Sequence, residues 1–162
     1  MKPSKNKLKW CAKQKYGIKI IKESLNLQKA YLKKSEDAIK SMDANAKEGI
    51  NEWVVSTSYY AKYFVVYSLL SRIGIKCEIH DCTISLFEYL FTGKIPPKLI
   101  QDFQQSKDDR IDVQYYTQSI PINLNAIVAD TKTFVLEIQK IIDNLTQSEI
   151  IILQSKLKVA LQ

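Results

Sequence analysis

Glycine and proline are scarce in this chain of 162 residues, which contains four of each. Neither residue occurs between Gly17 and Gly49, between Gly49 and Gly74, or after Pro121. An all-β chain would need turns roughly every 8–12 residues, and those turns draw heavily on glycine and proline. The long stretches without either residue therefore predict an all-α protein.

Apolar residues recur at helical spacing in successive segments of the chain. The stretch from about Ile50 to Ile73 is apolar or aromatic on nearly every side, so we expect other helices to surround it. The predicted helical segments are residues 18–42, 50–73, 81–91, 97–113, 121–145 and 150–161. Because we find no internal repeat or linker, we expect one antiparallel, up-and-down bundle of five or six helices.

Several residues mark the ends of these helices. Gly74 is placed to end the second helix, and Asp81 is placed to cap the third. Thr146 and Glu149 have the spacing of a capping box, which predicts that the last helix is separate from the one before it. The segment from Ile75 to His80 then forms a connector between helices.

The positive charge of the chain is concentrated at its start. The formal net charge is +7, yet residues 1–22 hold eight lysines and no acidic residue, while residues 23–162 hold 16 basic and 17 acidic residues. We therefore divide the chain into a basic N-terminal arm, residues 1–17, and a single bundle domain, residues 18–162. The lysines of this segment either contact phosphates or only solubilise a loose tail or the first turn of the first helix, and removal of residues 1–22 is expected to leave a folded bundle.

The cysteine count bears on the compartment. Three cysteines, an odd number, do not make a disulfide framework, which favours a reducing, cytoplasmic location. The basic start has no apolar h-region of a secretion signal. The longest apolar stretch, Tyr59 to Leu70, contains Lys62 and is shorter than the roughly 18 residues that a membrane span requires, so no membrane association is expected.

Arg110 is the first candidate for a functional site. It lies on the apolar side of its predicted helix with Phe103 and Val113, where a guanidinium with five donors and a permanent charge must find partners. One interpretation is that it binds phosphate or stabilises the charge that develops during RNA cleavage. The other is an ion pair with Asp109, Asp112 or an acidic residue on a neighbouring helix.

His80 is the single histidine of the chain and the candidate general acid or base. Its alternative role is to orient the connector or cap the next helix. Cys77, His80 and Cys82 also have zinc-binding side chains. They supply three ligands, and only the distant Cys11 could provide the fourth ligand of a tetrahedral zinc site. Asp108, Asp109 and Asp112 could bind Mg²⁺ through their carboxylates, but aspartates in such positions are more typically solvated charges on a helix or partners of Arg110. We therefore predict no metal and no cofactor.

Two tyrosines and one lysine complete the set of candidates. Tyr115 could place a phenol near Arg110 and act with it in catalysis, whereas a tyrosine pair at a helix end is more often packed in an interface. Tyr116 and Lys76 are predicted to join Arg110 in binding nucleic acid or a nucleotide.

Several of these landmarks together resemble the HEPN domain, and in particular the small, stand-alone prokaryotic HEPN proteins. The resemblance covers roughly residues 18–145 and rests on the order of its motifs. These are a tyrosine- and alanine-rich helix, a Gly-Ile turn followed by a histidine, a phenylalanine-rich helix, a Gly-x-Ile-Pro break, and an arginine followed after four residues by a tyrosine. They correspond to residues 58–64, Gly74 to His80, residues 84–91, residues 93–97, and Arg110 to Tyr115.

The resemblance implies a homodimeric helical bundle that acts on or binds RNA. On this interpretation it is a metal-independent ribonuclease toxin of a toxin–antitoxin module, with Arg110, His80 and Tyr115 at a cleft. The alternative is a non-enzymatic interaction or nucleotide-binding module paired with a nucleotidyltransferase-like partner. The arginine of active members precedes a histidine by four to six residues, and here Tyr115 stands at that spacing, after Ile111 and Gln114.

Overall fold

The computed structural model describes residues 4–116 and 123–162, which form seven helices and one two-stranded sheet. In chain order the elements are α1 Lys5–Lys13, β1 Lys19–Ile20, α2 Leu25–Lys47, α3 Asn51–Arg72, β2 Ile75–Lys76, α4 His80–Phe91, α5 Pro97–Tyr115, α6 Leu124–Asn144 and α7 Gln147–Leu161. The prediction of an all-α helical bundle is confirmed. Six helices match the six predicted segments, and α1 is the additional one.

The helix α3 lies at the centre of the bundle, as its all-round apolar pattern predicts. It packs against α2, α5 and α6. Most of its residues are buried, including Tyr59, Val65 and Leu69, which are fully buried. The amphipathic α6 packs against it and buries Phe134 and Ile138, because residues spaced by three or four lie on one helix face. The core therefore forms around α3.

The ends of the helices follow local rules, with one exception. Gly74 follows α3 with a φ of 72°, and a Cβ there would lie 2.7 Å from the carbonyl oxygen of Ile21. Thr146 and Glu149 form the predicted capping box at the start of α7. The prediction that Asp81 caps its helix is wrong: α4 begins at His80, and Asp81 lies in its first turn.

The basic start of the chain is not a loose tail. Residues Lys5–Lys13 form α1, whose Leu8 and Cys11 are fully buried and which packs against α4 and α7. The predicted first helix also begins later than Ile18. Residues 19–20 pair antiparallel with β2, and the hydroxyl oxygen of Ser24 accepts a hydrogen bond of 3.1 Å from Leu27 N at the start of α2. A domain boundary at residue 17 stays a prediction.

A disulfide joins Cys11 of α1 to Cys82 of α4, with their Cα atoms 5.8 Å apart. Three cysteines are not expected to make a disulfide framework, yet one pair does form a disulfide, and Cys77 is left as a buried thiol. The pairing attaches the basic helix to the element that carries His80. Among the described helices, none is long and apolar enough to cross a membrane.

Candidate functional site

Arg110 lies near the C-terminal end of α5 and faces α3. Its Nη1 donates to Gln114 Oε1 at 3.0 Å and, at 3.4 Å, to the hydroxyl of Tyr60. The guanidinium carbon is 5.1 Å from the ring centroid of Tyr59 and 5.7 Å from that of Tyr60, which are cation–π distances. Two tyrosines of α3 and one turn of α5 therefore hold the guanidinium in place.

No carboxylate within the described residues forms an ion pair with Arg110. The other arginine of the chain, Arg72, does form one, with Glu23 Oε2 at 3.3 Å. Asp109 instead accepts a hydrogen bond from Gln105 at 2.8 Å, and the Nε of Arg110 is buried with no hydrogen-bond partner in the part of the chain that the structure describes. The charge of Arg110 is therefore not neutralised by a carboxylate within the described residues.

An open cavity of about 430 Å³ lies beside Arg110. It runs along the groove between the first half of α3 and the last turns of α5. Its lining consists of Glu52, Trp53, Ser56, Tyr60, Arg110, Gln114 and Tyr115. Trp53 is 54% exposed and Tyr115 is 72% exposed, so both present aromatic surface to solvent. The arrangement can take a planar, aromatic group that carries a negative charge.

His80 is the first residue of α4 and lies among the tyrosines of α3. Its Nδ1 is 2.5 Å from the hydroxyl of Tyr59, and its ring stacks on Tyr63 with centroids 4.3 Å apart. Burial, followed by the charge of Arg110, lowers the pKa of His80. Burial raises the pKa of Tyr59, so this phenol keeps its proton. At neutral pH the pair is a neutral imidazole next to a protonated phenol.

Tyr59 connects two of the three predicted catalytic residues. It hydrogen-bonds to His80 and packs under the guanidinium of Arg110, whereas no described hydrogen bond joins His80 directly to Arg110. Tyr115 lies at the cavity of Arg110, but no hydrogen bond between them is present among the described side chains. The structure therefore brings Arg110 together with His80 through Tyr59, and with Tyr115 through the cavity.

The pH dependence of stability should report the environment of His80. Because its pKa is lowered below the usual 6.5, the unfolded chain binds a proton at a higher pH than the folded protein does. Above about pH 6.5, His80 should leave the free energy of unfolding unchanged. As the pH drops below 6.5, the free energy of unfolding should fall, because the unfolded chain takes up the proton first. Urea unfolding between about pH 7 and pH 5 should show that His80→Gln removes part of the fall. An unchanged pH profile in the variant would contradict the assignment.

Lys76 and Tyr116, the other predicted binding residues, lie apart from this arrangement. Lys76 is in β2, where it pairs with Lys19 and forms an ion pair of 3.1 Å with Glu78. Tyr116 is exposed and follows the last residue of α5. Neither lines the cavity of Arg110. Their predicted role in binding stays a prediction.

The cysteines and acidic residues do not assemble a metal site. Within residues 4–116 and 123–162, no group of three or more His, Cys, Asp or Glu side chains is arranged to hold a metal ion. Cys82 is in the disulfide, and burial raises the pKa of the Cys77 thiol, which opposes formation of the thiolate that zinc requires. The set Cys77, His80 and Cys82 is therefore not available as a zinc site.

A second polar cavity lies between α3, α5 and α6, around Lys62. This lysine is only 5% exposed, and burial lowers its pKa. Asp102, Asp109 and Asp130 also line this cavity, whose volume is about 150 Å³. It is much smaller than the cavity of Arg110 and is surrounded by carboxylates, so it suits neither a nucleotide nor a phosphate.

Sequence reasoning missed Tyr59, Gln114, Glu52 and Trp53 as parts of the site. Gln114 could have been found, because it follows Arg110 by four residues and lies on the same helix face. The spacing of four between Glu52, Ser56 and Tyr60 likewise places them in one row along α3. The position of Tyr59 between His80 and Arg110 depends on how three helices pack, and no spacing in the sequence encodes that.

The comparisons with known proteins identify the family of the chain. A model of the HEPN domain matches residues 28–147, which extend from α2 to the first residue of α7 and include Tyr59, His80 and Arg110. The comparison with curated proteins returns no match. The matched region covers about three quarters of the chain, so this protein belongs to the HEPN domain family.

Proposed function

We propose that this protein binds single-stranded RNA in the groove between α3 and α5, with Arg110 holding a phosphate. The HEPN domain belongs to a family of RNase-like or nucleotide-binding domains. One observation carries the proposal: Arg110 has no carboxylate partner among the described residues, and it opens onto a cavity of about 430 Å³. A half-buried arginine that stabilised only the fold would be expected to have an acidic partner, as Arg72 has.

The aromatic residues around the cavity support a nucleic-acid ligand. Unpaired bases stack on aromatic side chains with little dependence on sequence, and each stacked base contributes about 1–3 kcal/mol. Trp53 and Tyr115 are both more than half exposed at the cavity edge. A single strand can offer its phosphate to Arg110 and a base to either ring, whereas a duplex hides its bases.

Metal-independent cleavage of the RNA is the second candidate function. The observation that favours it is the neutral His80, which hydrogen-bonds to Tyr59, the residue whose ring packs against the guanidinium of Arg110. A neutral imidazole can accept a proton from a ribose 2′-hydroxyl, whose oxygen then attacks the phosphorus to form a 2′,3′-cyclic phosphate. The bond from phosphorus to the 5′-oxygen breaks, and that oxygen takes a proton from the imidazolium or from water. A guanidinium can stabilise the charge on the phosphoryl oxygens during this step. Cleavage that persists in excess EDTA and is lost in His80→Gln would support this function. Binding without cleavage would leave the protein as a binding module.

Homodimer formation is part of the proposal, since HEPN domains commonly dimerise. Two grooves in one assembly would lengthen the path that an RNA strand can follow. A nucleotidyltransferase-like antitoxin partner stays a prediction from the family resemblance. Sedimentation of the purified protein, alone and with RNA, measures the assembly directly.

The binding proposal is tested with the two arginines of the chain. Arg110→Gln should weaken binding of a fluorescently labelled octauridylate by at least about tenfold, because a charged hydrogen bond to phosphate contributes about 1.5–3 kcal/mol. The slope of log K against log salt should also fall by about 0.7. Arg72→Gln makes the same charge change at an ion-paired arginine and should bind like the wild type. Equal binding by both variants, or no binding by the wild type, would refute the proposal.

A further inference from the structure

We infer that the cavity of Arg110 selects guanine, through the carboxylate of Glu52. This inference rests on the proposed binding of RNA and adds a base preference to it. Glu52 lies in the first turn of α3 at the opposite end of the cavity from Tyr60, the α3 residue that contacts Arg110. The cavity therefore has a cationic end and an anionic end.

The carboxylate of Glu52 is available to a ligand. No hydrogen bond or ion pair within 4.0 Å involves it among the residues that the structure describes, and the residue is exposed. A carboxylate has two acceptor oxygens in one plane and no donor. It therefore recognises a pair of adjacent donors best, as in bidentate contacts with arginine.

Guanine alone among the four RNA bases presents two adjacent donors on its Watson–Crick edge, N1–H and the N2 amino group. Adenine and cytosine each place an acceptor beside their amino group, and uracil places acceptors on both sides of its N3–H. An acceptor directed at Glu52 would be repelled by the carboxylate. Recognition of an unstacked base through this edge is the usual mode for single-stranded RNA.

The dimensions of the cavity fit a nucleotide that spans its two ends. Glu52, Ser56 and Tyr60 are spaced by four residues along α3, so the distance along the axis from Glu52 to Tyr60 is about 12 Å. This is the scale of one nucleotide from its phosphate to its base edge. Trp53, 54% exposed and next to Glu52, can stack on the base while Arg110 holds the phosphate.

The test compares labelled octauridylate with the same strand carrying one central guanine, adenine or cytosine. The guanine strand should bind wild-type protein about tenfold more tightly than the others, the size of effect that one good bidentate contact gives. Glu52→Gln should bind the guanine strand no more tightly than the other three strands, because a glutamine offers one donor and one acceptor. Glu48→Gln, an exposed glutamate outside the cavity, makes the same charge change and should keep the preference.

The outcomes separate this inference from the proposed function. If wild-type protein binds none of the strands, both are wrong. If it binds all four strands equally, or if Glu52→Gln keeps the guanine preference, the inference is wrong, while RNA binding stands and its dependence on Arg110 is decided by the Arg110→Gln experiment. A guanine preference that is lost in Glu52→Gln and kept in Glu48→Gln supports the inference.

Discussion

Reduction of the disulfide between Cys11 and Cys82 should lower the free energy of unfolding by about 4 kcal/mol. The two residues are 71 positions apart, and a cross-link that closes a loop of this length restricts the unfolded chain strongly in the chain-entropy model. Both cysteines are fully buried, so their thiols remain packed after reduction and the main change is in the unfolded state. Urea unfolding with and without a dithiol reductant measures the difference.

A double variant, Cys11→Ala with Cys82→Ala, provides the control for this experiment. It should unfold at the same urea concentration with or without reductant, whereas Cys77→Ala should keep the sensitivity of the wild type. Coincident unfolding curves for oxidised and reduced wild type would contradict the prediction. A thiol titration of the protein unfolded without reductant should find one reactive thiol, that of Cys77, and a count of three would also contradict the prediction.

The disulfide also changes the expected effect of removing the basic start of the chain. Removal of residues 1–22 is no longer expected to leave an intact bundle, because it would delete the buried Leu8 and Cys11 and leave the surfaces of α4 and α7 uncovered. The cysteines also no longer support a reducing compartment. That inference depends on their odd number, whereas a disulfide is typical of oxidising compartments. A cytoplasmic location stays a prediction, without support from the cysteines.

Long periodic helices could be predicted from the sequence, and α1 could not. The pattern of α6 specifies its buried face through residues such as Phe134 and Ile138. Lysines dominate α1, and its buried side rests mainly on Leu8 and Cys11, three residues apart, which is too short a pattern to distinguish from a tail. Its fold depends on contacts with α4 and α7, which lie far along the chain.

The site could be predicted in part. Arg110 was identified because a guanidinium on the apolar side of a helix requires partners, and the structure shows it facing α3. Its partners are an amide and two phenol rings, whereas the sequence predicts either a phosphate or an ion pair with Asp109, Asp112 or an acidic residue on a neighbouring helix. Which groups meet across helices depends on how α3 packs on α5, and this packing is not encoded in local spacing.

Truncation of Tyr59 to alanine should have the other large effect, a loss of about 3–5 kcal/mol in the free energy of unfolding. Tyr59 is fully buried and its ring contacts Phe103, Tyr63, His80 and the guanidinium of Arg110. Its removal leaves a cavity at the meeting point of three helices. Arg110 would also lose an aromatic face that orients it, so RNA binding should weaken beyond the effect on stability.

Tyr59→Phe separates the ring from the hydroxyl. This variant keeps the packing and the surface under Arg110 but loses the hydrogen bond to His80, so stability should fall by only about 1 kcal/mol and RNA binding should stay near that of the wild type. If cleavage occurs, its rate should fall in Tyr59→Phe while binding does not, because the hydroxyl acts only through His80. Equal losses of binding in the two variants would show that the ring does not position Arg110.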